Sequence, residues 1–308
     1  MPTKPFEPLL YRDLARVSAK DTIDIASPLL QELVNYGTNA FQRCQTSTTG
    51  TKDEDLHVLT LYLHIIEMTD RIEVLLSQSC PITAIPLLRS SFEALLAIDY
   101  ILQADYQRRS FAWMLGYVHQ RLALYETQDL STQAGKEFRK ALQADRALRS
   151  VALPDPSLAK QAVDNLQRLL RKPDYQIVVA EYERLKKTKK RKPACHSLFE
   201  GPTTLRELAT RVNRGAQYDF LYRLWSGLTH AGDLSRYLTR TSGGVPAIRP
   251  LRNPEGIREV SSMAASFILD ATRKLLGKYR PGEETSFARW YVREVRERYF
   301  ALYSKLSR

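Results

Sequence analysis

Strong metal and disulfide donors are scarce in this 308-residue chain: it has five histidines and three cysteines. Cys44, Cys80 and Cys195 are scattered and odd in number, so they form neither a disulfide framework nor a CxxC metal pair. This usage suits a reducing compartment, and a cytoplasmic location is expected. No GxGxxG turn, P-loop, HExxH helix or GxSxG elbow occurs. These absences remove the motif-based case for dinucleotide binding, P-loop phosphoryl transfer, zincin chemistry and serine hydrolysis. No run of 18 apolar residues is free of charge, so no transmembrane helix and no membrane partner are predicted. The first residues, MPTKPFEPLLYRDLARV, carry Pro, Glu and Asp where an export signal needs an apolar block. Alternating strand patterns are missing beyond a few residues.

What the chain does have is charge of one sign and helical periodicity. Lys and Arg outnumber Asp and Glu by 46 to 34, leaving a net +12. A surplus of this size speaks about partners rather than fold. It fits RNA or another polyanion, and equally a solvated basic surface. The densest run lies at Arg184, Lys186, Lys187, Lys189, Lys190, Arg191 and Lys192. Self-repulsion predicts a loop there, either solvated or gripping phosphates.

Apolar stripes at 3.6-residue spacing predict helices over 54–78, 81–103, 105–128, 131–149, 157–171, 174–187, 217–231 and 284–305. One or two short helices are expected within 1–50. Thr51-x-x-Glu54 and Thr204-x-x-Glu207 are capping boxes, Gly215 is placed to close the helix after the second, and Asn253-Pro254-Glu255 opens another helix. Leu61, Ile65, Met68, Ile72 and Leu75 are the expected core face of 54–78. Its second stripe, His57, Thr60, His64, Glu67 and Arg71, reads as a solvated face with a Glu67–Arg71 pair, or as an acid–base or metal line. The last helix is aromatic on one face and carries Arg289, Arg293, Arg296 and Arg298 on the other.

Two segments stand apart. PITAIPLLRSSFEALLAIDYILQ (81–103) has no continuous polar face, which marks a buried helix. Arg89 and Glu93 sit one turn apart on it and are candidates for a buried pair, serving chemistry or helix register. In AQYDFLYRLWSGLTHAGD, Arg223, Ser226 and His230 share a face at i, i+3 and i+7, with Gly232 placed to cap the helix. His230 in the last turn also suits the helix dipole. Packing the two helices together would gather Arg, Glu, Ser and His inside an apolar bundle.

R-S-S-F-E-A-L (89–95) followed by Y-x-x-x-Y-R-x-x-S-x-x-x-H (218–230) resembles a family of bacterial helical proteins of uncharacterised function. The later helix also resembles the Arg-x(4–6)-His signature of HEPN domains. These are helical bundles, often dimeric, and many are metal-independent ribonucleases of toxin and defence systems. Arg191-x4-His196 fits the same pattern inside the basic run. The resemblance implies Arg223 and His230 as the catalytic pair; Ser226, Glu93 and Arg89 join them as candidates from the polar cluster that packing the two helices would make. It implies no metal and no cofactor, RNA as substrate, and a homodimer. The expected fold is all-α, one helical domain over 1–308. Its HEPN-like core would span about 54–150 and 203–305, with a peripheral insertion over about 155–200. The alternative function is a non-catalytic scaffold, or a module that senses nucleotides or nucleic acid.

Overall fold

A computed structural model describes residues 12–47, 53–151, 156–189, 192–229, 238–241, 243–249 and 251–303. The protein is all-α. Its described helices are α1 (Arg12–Ser18), α2 (Lys20–Ser47), α3 (Asp53–Ser77), α4 (Pro81–Gln103), α5 (Tyr106–Glu126), α6 (Gln133–Ala144), α7 (Pro156–Leu170), α8 (Pro173–Lys189), α9 (Leu205–Arg211), α10 (Gly215–Thr229), α11 (Ile257–Tyr279), α12 (Glu284–Trp290) and α13 (Arg296–Tyr303). Strands β1 (Leu238–Arg240) and β2 (Pro246–Ile248) form a small antiparallel hairpin with Leu238 opposite Ile248. The chain divides into two compact units: 1–100 with 212–308, and 101–211. The stretch 155–200 lies inside the second.

In the first unit, α2, α3 and α11 pack against one another, with α13 against α2 and α11. Of the one or two short helices expected within 1–50, α1 is short, but residues 20–47 form one 28-residue helix. Its buried face is Ala26, Leu29, Leu30, Leu33, Gly37, Ala40 and Cys44. Small residues at four of these seven positions make the stripe faint in sequence, yet they let neighbours approach. A Cβ at Gly37 would lie 3.2–3.3 Å from the Tyr62 hydroxyl, Ile66 and Ile268. The Tyr62 hydroxyl is hydrogen-bonded to Thr272 Oγ1 at 2.7 Å. Buried Glu73 accepts from the Ser27 hydroxyl and from Gln31 Nε2, so its carboxylate is not stranded in the core.

The core face of α3 is rotated from the predicted one. Ile65, Met68 and Ile72 are buried, but Leu61 and Leu75 are only half-buried, and Val58, Leu59, Tyr62, Ile66 and Leu76 fill the core. His57 is buried rather than solvated, whereas Glu67 and Arg71 do form an exposed ion pair. In α11, Val260, Phe267, Ala271 and Leu275 are buried and Met263 is half-buried; Phe267 packs against Phe92 with ring centroids 5.4 Å apart. The helix starts at Ile257, after an Asx turn in which Asn253 Oδ1 accepts from the Glu255 N–H. The last helical stretch contains a π turn at Tyr291–Val295. Trp290, at its start, stacks on Tyr36 at 3.7 Å and donates Nε1–H to Glu32 at 2.7 Å.

The second unit is built on Phe111, Ala112, Leu115, Tyr175, Val178, Tyr182, Leu185 and Leu198. Phe111 meets Tyr175 edge-on at 4.6 Å. The helix expected over 131–149 stops at Ala144, because extended Asp145 accepts from the Ala147 and Leu148 N–H groups and starts a turn. At the other end of α6, Thr132 caps the Gly135 N–H; a Cβ at Gly135 would lie 1.9 Å from the Asp129 carbonyl oxygen. Phe199 and Glu200 both take left-handed backbone (φ 55° and 59°), turning the chain toward α9. The Phe199 N–H donates to Glu181 and its ring lies 4.5 Å under the Arg108 guanidinium.

Among the described helices, α4 is long and apolar enough, by length and composition, to cross a membrane, and 61% of its most apolar window is buried inside the protein.

Candidate functional site

The two singled-out segments meet in the first unit. Tyr222, on α10, donates its hydroxyl to Glu93 on α4. The Arg89 guanidinium lies 4.1 Å from the centroid of the same ring. Tyr218, one turn earlier on α10, stacks on Tyr222 at 4.3 Å with 15° between planes. Arg89 and Glu93 thus converge on a single tyrosine: one binds its π face and the other its hydroxyl. Burial and the neighbouring Glu93 carboxylate push the Tyr222 phenol well above its ordinary pKa, and Arg89 opposes them. The phenol therefore remains a donor across the neutral range.

Glu93 is exposed and Arg89 half-buried, which differs from the buried pair expected on α4. The reason is local. Ile82, which shares their side of the helix, is itself only half-covered, while Leu88, Phe92, Leu95, Leu96 and Ile98 are fully buried. An apolar composition spread round a helix raises its mean burial without sealing every position. One turn of α3 also reaches this region: His64 Nε2 lies 2.8 Å from Ser90 Oγ, next to Arg89 in sequence. Among the described residues, no three His, Cys, Asp or Glu side chains gather closely enough to hold a metal ion.

Of the residues assigned to catalysis from sequence, Arg223 and Ser226 belong to α10, which runs Gly215–Thr229, but their side chains lie outside the described ones. His230 and Gly232 lie outside the described residues, as does Thr51 of the first capping box. The second box is present: the Glu207 N–H donates to Thr204 Oγ1 at 3.1 Å, and Glu207 accepts in return from the Thr203 N–H at 2.7 Å. Asn213, not Gly215, makes the turn that follows, with φ 61°; Gly215 opens α10. Asparagine tolerates left-handed backbone, so it replaces glycine in this role.

The sequence reading missed the buried charge in this unit. Asp99, near the end of the first-unit part of α4, accepts from Arg214 Nε and from Lys274 Nζ, the latter at 2.5 Å. Arg214 also donates to Asp270 at 2.5 Å and to Gln217 Oε1 at 2.8 Å. The Asp99 and Arg214 side chains are 4% and 10% exposed. Burial works against the charge on Arg214, yet the two carboxylates outweigh it and hold the guanidinium above its ordinary pKa. The one available signal was Asp99 on an otherwise apolar helix. Its partners are 115 and 175 positions away, and no local spacing announces them.

The basic run is helical through Lys189, and Lys192 lies beyond the helix. α8 continues through Lys189 instead of giving way to a loop at Arg184. Cations at a helix C-terminus meet the favourable end of its dipole, which offsets part of their mutual repulsion. Arg184 is held by Glu181 at 2.7 Å and Lys186 by Glu183 at 3.6 Å; Lys187 and Lys192 are exposed. The Lys189 side chain, Lys190 and Arg191 lie outside what is described. Arg289, Arg293, Arg296 and Arg298 are all exposed, with Arg293 paired to Glu294 at 2.6 Å. His196 is fixed by a 2.7 Å hydrogen bond between its Nδ1 and the Pro202 carbonyl.

Residues 55–245 match the model of a family of unknown function, DUF5677. The chain belongs to that family. The matched stretch begins in α3, contains both motif segments and the whole second unit, and ends in the hairpin. Comparison with curated proteins and with solved structures found no match.

Proposed function

We propose that this protein is a HEPN-like, metal-independent ribonuclease of a bacterial toxin or defence system, acting as a homodimer. The observation that carries the reading is the Arg89–Tyr222–Glu93 junction, because it joins the two segments on which the resemblance rests. The residue after Tyr222 is Arg223, and Ser226 follows one turn later on the same helix. In this reading the ribose 2′-oxygen attacks the adjacent phosphorus, and the 5′-oxygen of the next nucleotide leaves. His230 moves the proton. Arg223 offsets the charge that builds on the phosphoryl oxygens. The products are a cyclic phosphate end and a free 5′-hydroxyl. The net charge of +12 supports an anionic substrate.

The test is RNA cleavage in EDTA by wild type, Arg223→Ala and His230→Ala, with sedimentation to count copies. Cleavage by wild type, lost in both variants while their melting temperatures hold, is the expected result. Equal cleavage by all three would refute the assignment. RNA binding without cleavage would favour the nucleic-acid-sensing scaffold instead.

A further inference from the structure

Helix α10 is tied to α4 at two places, eight residues apart. Just before its first turn, Arg214 is anchored in the buried carboxylate of Asp99 and in the half-buried one of Asp270. At mid-helix, Tyr222 is held by Glu93 and Arg89. The two ties differ in kind. The first is nearly sealed from water, so it serves as a fixed pivot. The second involves an exposed carboxylate and a half-buried guanidinium, and it is the smaller barrier to rotation of α10 about its axis. A pivot alone leaves that rotation free; a second tie two turns along removes it.

We propose that Tyr222 is the positioning residue of the α10 site. Its hydroxyl on Glu93 and its ring against Arg89 lock the rotation of α10, and thereby the presentation of the residues that follow it. This rests on the ribonuclease reading for its catalytic consequence, but not for the lock itself. Glu93 and Arg89 then act through Tyr222 rather than on the substrate. Tyr218 extends the junction by stacking on Tyr222, so the lock is an aromatic pair capped by a cation and pinned by one hydrogen bond. Rotation of a helix by a few tens of degrees moves a side-chain tip by ångströms, and misplacements of about 1 Å cost on the order of 100-fold in rate.

Tyr222→Phe keeps the ring, the stack and the cation over its face and removes only the hydroxyl. Glu93→Gln keeps an acceptor at the same place; Glu93→Ala does not. The expected result in the cleavage assay is a fall of about 100-fold in kcat for Tyr222→Phe and for Glu93→Ala, with KM unchanged. Glu93→Gln should retain most activity, and the double variant Tyr222→Phe/Glu93→Ala should be no worse than either single one. Hydrogen exchange provides the readout that does not need activity: α10 amides should exchange about tenfold faster in Tyr222→Phe and Glu93→Ala, with α2, α3 and α11 unchanged. If wild type cleaves no RNA yet α10 loosens in this way, the nuclease reading fails and the lock stands. If α10 protection is unchanged in both variants, or Tyr222→Phe cleaves with wild-type kcat, the lock is overturned.

Discussion

Arg214, in the turn before α10, donates its Nε–H to Asp99, and the pair is almost closed to water. It lies outside both motif segments, yet it is the most deeply buried ion pair described in the first unit. Removing one partner leaves the other charged and desolvated, with only part of its compensation left: Asp270 for Arg214, or Lys274 for Asp99.

Asp99→Asn should therefore cost about 3–5 kcal/mol in chemical denaturation, the range for breaking a buried pair. Glu67→Gln, which breaks the exposed Glu67–Arg71 pair, should cost no more than about 0.5 kcal/mol. Glu93→Ala should fall nearer the second value than the first, because Glu93 is exposed. Similar losses for Asp99→Asn and Glu67→Gln would contradict the buried network.

His119 should make the second unit acid-sensitive. Its ring stacks on Tyr182 at 4.2 Å, and burial, with Lys186 and Lys192 adding to it and Glu183 opposing, holds its pKa below the ordinary 6.5. The unfolded chain then binds the proton more readily, so stability is present above about pH 6.5 and is lost as the pH falls through the folded value. Denaturation midpoints measured from pH 7.5 to 5 should decline, and His119→Phe should flatten that slope. A slope unchanged by the substitution would assign the acid sensitivity elsewhere.

The three cysteines should separate by reactivity. Burial raises the Cys44 thiol to about 11 and the Cys195 thiol to about 12, so neither supplies appreciable thiolate at pH 8. Cys80 is half-exposed, with only a long approach of 3.5 Å to the Gln78 carbonyl. Iodoacetamide at pH 8 followed by mass spectrometry should find Cys80 modified first and the other two only in denaturant. Early modification of Cys44 would mean that the α2 face opens readily.

Polyanion binding, if carried by the basic run at the end of α8 and just beyond it, should be steep in salt. Lys187 and Lys192 are exposed, whereas Arg184 and Lys186 are partly neutralised by Glu181 and Glu183. Lys187→Gln/Lys192→Gln should weaken binding to single-stranded RNA more than Arg184→Gln/Lys186→Gln. The slope of log affinity against log salt should shrink by about 0.7 for each phosphate that is no longer neutralised. A fluorescence-anisotropy titration with equal effects from the two pairs would place the RNA elsewhere, the exposed C-terminal arginines being next to try.

Local chemistry was enough to determine the fold class. Periodic stripes such as Phe111, Leu115 and Val118, caps such as Thr204 with Glu207, and the breaks between them depend on residues within one or two turns of each other. The sequence therefore carries them openly. Helix α2 was harder to see because four of its seven core-face residues are Ala, Gly or Cys, which bury little area but allow close approach. The site divides along the same line. Arg89 and Glu93 were visible as charges on an apolar helix, and Tyr222 as the second tyrosine of the Y-x-x-x-Y-R motif. That one tyrosine receives both was decided only when α4 and α10 packed, across 129 residues. The Asp99–Arg214–Asp270–Lys274 cluster is the limiting case. None of its members pairs at helical spacing with the one it most needs, so the burial that makes their charges costly exists only in the tertiary structure.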